Sequence, residues 1–148
     1  MPHEPQVGTP AEWFRRAQSN LIRAQQPRPE GVCWEDLCFD AQQAVEKALK
    51  ALLVQHNIPF RHVHDIAELL TLLEQGGLSL PEDVRLAAGL SDYAVAARYP
   101  GPMEPVTEEE YQEAIALSAT VLGWVEQLLG PKQEPDSTDI SSITGRRP

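Results

Sequence analysis

Three groups of residues in this chain have types and spacings suited to chemistry. The first is His64-Asp65, at the head of the apolar run 66-IAELLTLL-73. A histidine changes charge near neutral pH, so His64 is a candidate donor, acceptor or proton carrier. The same pair also reads as helix-start chemistry, with Asp65 beside the positive end of a helix dipole. The second group is 98-RYP-100. Arg98 offers a planar fork that matches phosphate. It reads equally as a cation at a helix C-terminus, followed by a packed tyrosine and a proline stop. The third is Lys47 with Lys50, three residues apart on one helix face, either solvated or in contact with an anion.

Other chemistries find no support. His62 and His64 with Asp65 form a single H-x-H cluster, too sparse to predict a metal site. There is no GxxxxGK[ST], GxGxxG, HExxH, EF-hand loop or GxSxG. No cofactor is expected. Cys33 and Cys38 stand about 140° apart around a helix, poorly placed to pair, and read as small core hydrophobes.

The elements that must position these residues are all helical. Thr9-Pro10-Ala11-Glu12 is a capping box with Pro at the first helical position, opening a first helix whose apolar stripe is Trp13, Phe14, Ala17, Leu21 and Ala24. Its other face carries Arg15, Arg16, Gln18 and Arg23. A turn, 27-PRPEG-31, precedes a second helix over residues 32–56, about 37 Å long at the usual rise. This helix has a polar stripe of Asp36, Asp40, Gln43, Lys47 and Lys50, with Glu46 and Lys50 as an i, i+4 pair. Asn57 and Pro59 close it. A short helix follows Asp65 and ends at Gly76-Gly77. A fourth is expected from Pro81 to about Tyr99, stopped by Pro100-Gly101-Pro102. Thr107-Glu108-Glu109-Glu110 is a second capping box and opens the last helix, which ends at Gly130-Pro131.

No segment reads as a strand, and the sum is an all-α domain with short connections that favour antiparallel neighbours. Residues 1–8 form an N-terminal extension, 9–130 the bundle, and 131–148 a polar tail expected to be disordered. The net charge is −10, from 12 Lys+Arg against 22 Asp+Glu. That argues against nucleic-acid binding by the whole surface, which needs a basic footprint, and leaves room for a local anion site. No apolar run approaches the ~20 residues of a membrane span. The N-terminus lacks the basic and apolar regions of a signal peptide, so the expected compartment is cytoplasmic.

Four blocks carry a resemblance: 38-CFDAQQAVEKALKALL-53, 61-RHVHDIAELL-70, 90-LSDYAVAARYPG-101, and a last helix that begins EEEYQEAI and ends VLGWVEQLL. In order and spacing, over residues 11–129, the chain resembles the HEPN domain family, helical proteins found in prokaryotes beside minimal nucleotidyltransferases. The resemblance implies an up-down antiparallel bundle of four to five helices that forms homodimers. It also implies a nucleotide-binding module that partners a small nucleotidyltransferase, in toxin–antitoxin type systems, and takes a nucleotide or an RNA end. The residues matching the family's polar blocks are His64, Asp65, Tyr93 and Arg98, with Lys47 as a further anion contact. Tyr93 or Tyr99 is then a candidate target for nucleotidyl transfer, although the family's Arg-x4-His-x-Tyr motif is absent. Many members of the wider family are metal-independent RNases with an Arg-x(4–6)-His motif. Here no arginine stands five to seven positions before His3, His56, His62 or His64. An RNase reading therefore requires a composite site in which His64 and Arg98 meet in space. A purely structural dimerisation domain is the remaining alternative.

Overall fold

A computed structural model describes residues 8–93 and 105–130, and five α-helices and one 3-10 segment lie within them. These are α1 (Pro10–Ala24), α2 (Trp34–Gln55), α3 (Ile66–Gln75), α4 (Glu82–Arg85), a 3-10 segment (Leu86–Ser91) and α5 (Glu108–Leu129). No strand occurs among the described residues. The protein is all-α, as its periodicity predicts.

Both capping boxes form. The Thr9 hydroxyl accepts from the Glu12 N–H at 3.1 Å while the Glu12 carboxylate takes the Thr9 N–H at 3.0 Å. Thr107 and Glu110 repeat this at 3.0 and 2.9 Å. Each pair satisfies two N–H groups that the helix itself cannot. At the other end of α2, the Ile58 N–H reaches the Leu53 carbonyl at 2.9 Å and the Asn57 N–H reaches Val54 at 3.1 Å. With Asn57 at φ 59°, this is a Schellman closure that uses asparagine for the left-handed residue. Helix α3 closes in the same way on Gly77, at φ 103°.

Helix α2 is the central element, packed against α1, α3 and α5. Ala41, Ala44, Ala48 and Ala51 are fully buried, as are Ala17 and Ala24 on α1. Where side chains are this short, backbones approach closely, and the contact is made by van der Waals packing of methyls against main chain. Leu49, Leu52, Leu53, Ile66, Leu69, Leu73, Val121 and Val125 fill the remaining core. Two polar ties fix α5 to this core. Ser118 donates to the Ala41 carbonyl at 2.9 Å, and Tyr111 donates to the Ala24 carbonyl at 2.6 Å. Ala24 ends α1, so Tyr111 satisfies a carbonyl that has no partner within its own helix. Tyr111→Phe should cost about 1–2 kcal/mol by orphaning that buried acceptor, read as a lower urea midpoint at unchanged m-value.

Three expectations are corrected. The fourth helix is not continuous: one α-turn gives way to a 3-10 segment at Leu86. Val84, Ala87, Leu90 and Tyr93 recur every three residues, the first three buried and Tyr93 half-buried. A spacing of three stacks side chains on one edge of a 3-10 helix, whereas it drifts around an α-helix. Cys33 is exposed just ahead of α2, and only Cys38 is a core residue. Burial, then the charges of Glu35 and Glu110, pushes the Cys38 thiol up to about 12. Finally, the polar stripe of α2 is not a solvated face: Asp40 and Lys50 are buried, together with Gln42 and Glu46.

Candidate functional site

The buried polar groups of α2 organise the site. Glu46 is 6% exposed, and each of its oxygens is engaged. Oε1 accepts from the side-chain amides of Gln42 and Gln43, both at 3.2 Å. Oε2 meets Lys50 Nζ at 2.9 Å and His64 Nδ1 at 3.0 Å. Burial alone drives the Glu46 carboxyl pKa up. The hydrogen bonds from Lys50 and His64, with the Lys50 charge and Gln42, outweigh it and hold the pKa below the ordinary carboxylate value. Lys50 also sits 5.6 Å from the Trp13 ring centroid and 5.5 Å from that of Phe60. At that range an ammonium is attracted by the ring faces.

His64 differs from these partners because its side chain is 72% exposed. The loop before it explains its aim. Phe60 is buried as an anchor, the Val63 N–H bonds the Phe60 carbonyl at 2.9 Å, and His62 takes φ 66°. That is a turn with a left-handed residue at its third position, of the kind usually filled by glycine. It delivers His64 against Glu46 just before α3 begins.

The two contacts of Nδ1 set the chemistry of the free nitrogen. Nδ1 carrying hydrogen donates to Glu46 and leaves Nε2 as an outward acceptor. Nδ1 without hydrogen accepts from Lys50, at 3.3 Å, and leaves Nε2–H as an outward donor. A protonated ring donates at both nitrogens. Lys50 already has Glu46 at 2.9 Å, so the carboxylate-bound form has the better geometry. A carboxylate behind an imidazole fixes ring orientation and tautomer, the arrangement that supports acid–base work at the other nitrogen and, with the ring protonated, donation from it to a phosphate oxygen.

The remaining sequence candidates fall at different places. Asp65 precedes α3, yet its side chain makes no cap bond. Ser91 does so instead: its hydroxyl accepts from the Ile66 N–H at 3.1 Å and donates to Asp65 Oδ1 at 3.0 Å. Lys47 is half-buried and donates to Asn20 Oδ1 at 2.8 Å. Its pKa is lowered, by burial first and then by Arg16 and Arg23 against an opposing Glu46. Tyr93 is pushed up to about 12 by burial and by the charges of Cys38, Glu110, Glu113 and Asp92, so its phenol is neutral. Tyr93, just past the 3-10 segment, packs against the core, while His64 meets α2 at Glu46. Arg98 and Tyr99 lie outside the described residues. Among the described residues no three His, Cys, Asp or Glu side chains converge as metal ligands.

Sequence reasoning missed Glu46, Gln42 and Gln43 as site residues. The available signal was Glu46 at i−4 from Lys50, off the polar stripe of the same helix.

Comparison with known proteins identifies the family of the fold. The HEPN domain family profile matches residues 10–128. That match takes in α1 through nearly all of α5, and the chain belongs to the HEPN domain family. The crystal structure of ST0689, an archaeal HEPN homologue, is similar at TM-score 0.66 and 29% identity. The similarity covers 82% of this chain and 98% of that one. Comparison with the curated proteins gives no match. No helix among the described residues is long and apolar enough to cross a membrane.

Proposed function

We propose that this HEPN protein is a nucleotide-binding module that acts, as a cytoplasmic homodimer, beside a minimal nucleotidyltransferase in a toxin–antitoxin type pair. His64 is its contact to phosphate. Family membership supports the setting, and one observation carries the site. A buried, fully engaged carboxylate commits an oxygen to an imidazole that is otherwise in solvent. Burying a carboxylate costs several kcal/mol before its partners compensate, and an exposed ring needs no such anchor merely to pack. The anchor fixes which nitrogen faces outward.

The test is calorimetric titration of ATP and GTP into the protein, alone and co-expressed with the neighbouring nucleotidyltransferase. The expected results are co-purification and saturable binding, with binding weakened about tenfold or more in His64→Ala by loss of a charge-assisted hydrogen bond. A wild-type chain that binds neither the partner nor nucleotide contradicts the reading.

The same dyad favours a second reading, a metal-independent RNase in which His64 is the acid–base group and Arg98 the phosphate contact. Cleavage of single-stranded RNA in the presence of a chelator, lost in His64→Ala, would select it over the binding module.

A further inference from the structure

We propose that Ser91 is the positioning residue of the His64 site, holding through Asp65 the backbone that sets which partner the imidazole meets. This rests on the reading of His64 as the phosphate contact and names what keeps that contact in place.

The ring does not place itself. The His64 side chain is 72% exposed, and of residues 61–65 only Val63 is even partly covered. Its Nδ1 stands between two partners that require opposite tautomers. Glu46 Oε2 at 3.0 Å accepts a hydrogen, and Lys50 Nζ at 3.3 Å donates one. The two distances are so alike that a shift of roughly half an ångström decides the tautomer.

The position must therefore come from the main chain. Phe60 anchors the chain on one side, and Ile66, wholly buried at the head of α3, anchors it on the other. Between Ile66 and the ring stands Asp65. It opens α3 with its carbonyl bonded to the Leu69 N–H at 3.0 Å, and an aspartate in that place ordinarily caps its own helix. Here its carboxylate makes no cap bond, and its ψ is 125°. Thr9 and Thr107, which do cap their helices, have ψ 165° and 164°. The Asp65 carboxylate is engaged instead by the Ser91 hydroxyl, which donates to Oδ1 at 3.0 Å while accepting from the Ile66 N–H at 3.1 Å. Ser91 is itself fixed, since Leu90 beside it is buried in the core.

One hydroxyl thus caps α3 from outside and diverts Asp65 from doing so. The consequence falls on His64. Self-capping would turn Asp65 about ψ by roughly 40°, the gap between it and the two threonines. His64 Cα stands about 3.8 Å from Asp65 Cα across a trans peptide, so that turn swings it by about 2 Å. That is several times the shift that exchanges Glu46 for Lys50 at Nδ1. Ser91 holds Asp65 in the conformation that presents His64 to Glu46.

The test is a long-range proton–nitrogen spectrum of free, ¹⁵N-histidine-labelled protein at about pH 8, where an ordinary imidazole is neutral, paired with calorimetric titration of ATP. Wild type should show His64 as a single Nδ1–H tautomer. In Ser91→Ala, Asp65 becomes free to cap α3, so the urea midpoint should stay close to wild type. The His64 Nδ1 and Nε2 shifts should draw together, as in a mixture of tautomers. ATP binding should weaken about fivefold or more, the contribution of one ordinary hydrogen bond. Ser91→Thr keeps the hydroxyl and should restore both. A merely structural role gives the reverse pattern, a lower midpoint with His64 shifts and ATP affinity unchanged, and that result overturns the proposal. If Ser91→Ala does not fold, Asp65→Ala breaks the same bond from its other end and leaves Ser91 on the Ile66 N–H. A wild-type His64 spectrum in that variant also overturns the proposal. A His64 tautomer that is lost in Ser91→Ala, in a wild type that binds no ATP, supports the positioning role and removes the phosphate reading instead.

Discussion

Lys50→Met is expected to destabilise the protein by roughly 3–5 kcal/mol, the usual cost of removing one partner from a buried ion pair. Lys50 and Glu46 are 5% and 6% exposed and 2.9 Å apart. Methionine replaces most of the lysine volume, so little of the loss comes from a cavity. The loss comes from a carboxylate left in the core with His64 and two amides as its only remaining donors. Converting the carboxylate as well should reverse most of it. In Glu46→Gln/Lys50→Met no charge remains buried, and the new amide oxygen still accepts from Gln42 and Gln43. That double variant should lie within about 2 kcal/mol of wild type, well short of the summed losses of the two single variants, the non-additivity expected of residues in direct contact. Additive effects in denaturant unfolding would mean the pair is solvated.

The pH dependence of the pair has a definite sign. Glu46 has a lowered pKa in the fold. Its contribution to stability is therefore fully present above the unfolded carboxylate pKa and is lost as pH falls through the folded one. The stability gap between wild type and Lys50→Met should accordingly be widest at neutral pH. It should narrow on acidification, starting above 4.5, the unperturbed glutamate value, because the variant's buried carboxylate without Lys50 takes up its proton more readily, and continuing below it as the wild-type pair is lost.

Leu49→Ala should cost about 2–5 kcal/mol, as the transfer loss of three buried carbons adds to the cavity they leave. Leu49 is completely buried in the middle of α2, the helix that meets α1, α3 and α5. The alanines around it leave no long side chain to swing into the space, so the upper half of that range is expected. Ile22→Ala makes the contrast, because Ile22 is 59% exposed and its loss should stay within about 0.5 kcal/mol. Equal urea midpoints for the two variants would contradict the placement of the core.

The residues that local rules govern were the legible ones. Thr9, Thr107, Asn57 and Gly77 each mark a helix end through bonds within a few residues, so their roles follow from spacing alone. The α2 alanines recur at helical period, where small apolar residues suit close packing in a bundle. The buried polar cluster did not read correctly. Asp40 and Lys50 look like a solvated stripe, because burial depends on what packs opposite, and their partners Asn20, Arg23 and His64 stand 14 to 20 residues away in sequence. The break at Leu86 is hard to see in the sequence for a different reason: Val84, Ala87, Leu90 and Tyr93 stand three apart, a spacing that places neighbours together on an α-helix as well. For the site itself, His64 was evident as a lone titratable side chain, whereas the carboxylate that orients it was visible only as an intrahelical partner for lysine.

The central claim is that Glu46 holds His64 by Nδ1 so that Nε2, a donor once the ring is protonated, meets phosphate. The most direct measurement is a long-range proton–nitrogen correlation spectrum of ¹⁵N-histidine-labelled protein, recorded while ATP or oligouridylate is added. The account predicts an Nδ1–H tautomer at His64 in the free protein, a His64 Nε2 resonance that moves toward the protonated position as that nitrogen gains a proton and donates to phosphate, and still resonances for His56. A saturating titration that leaves His64 unmoved would contradict it.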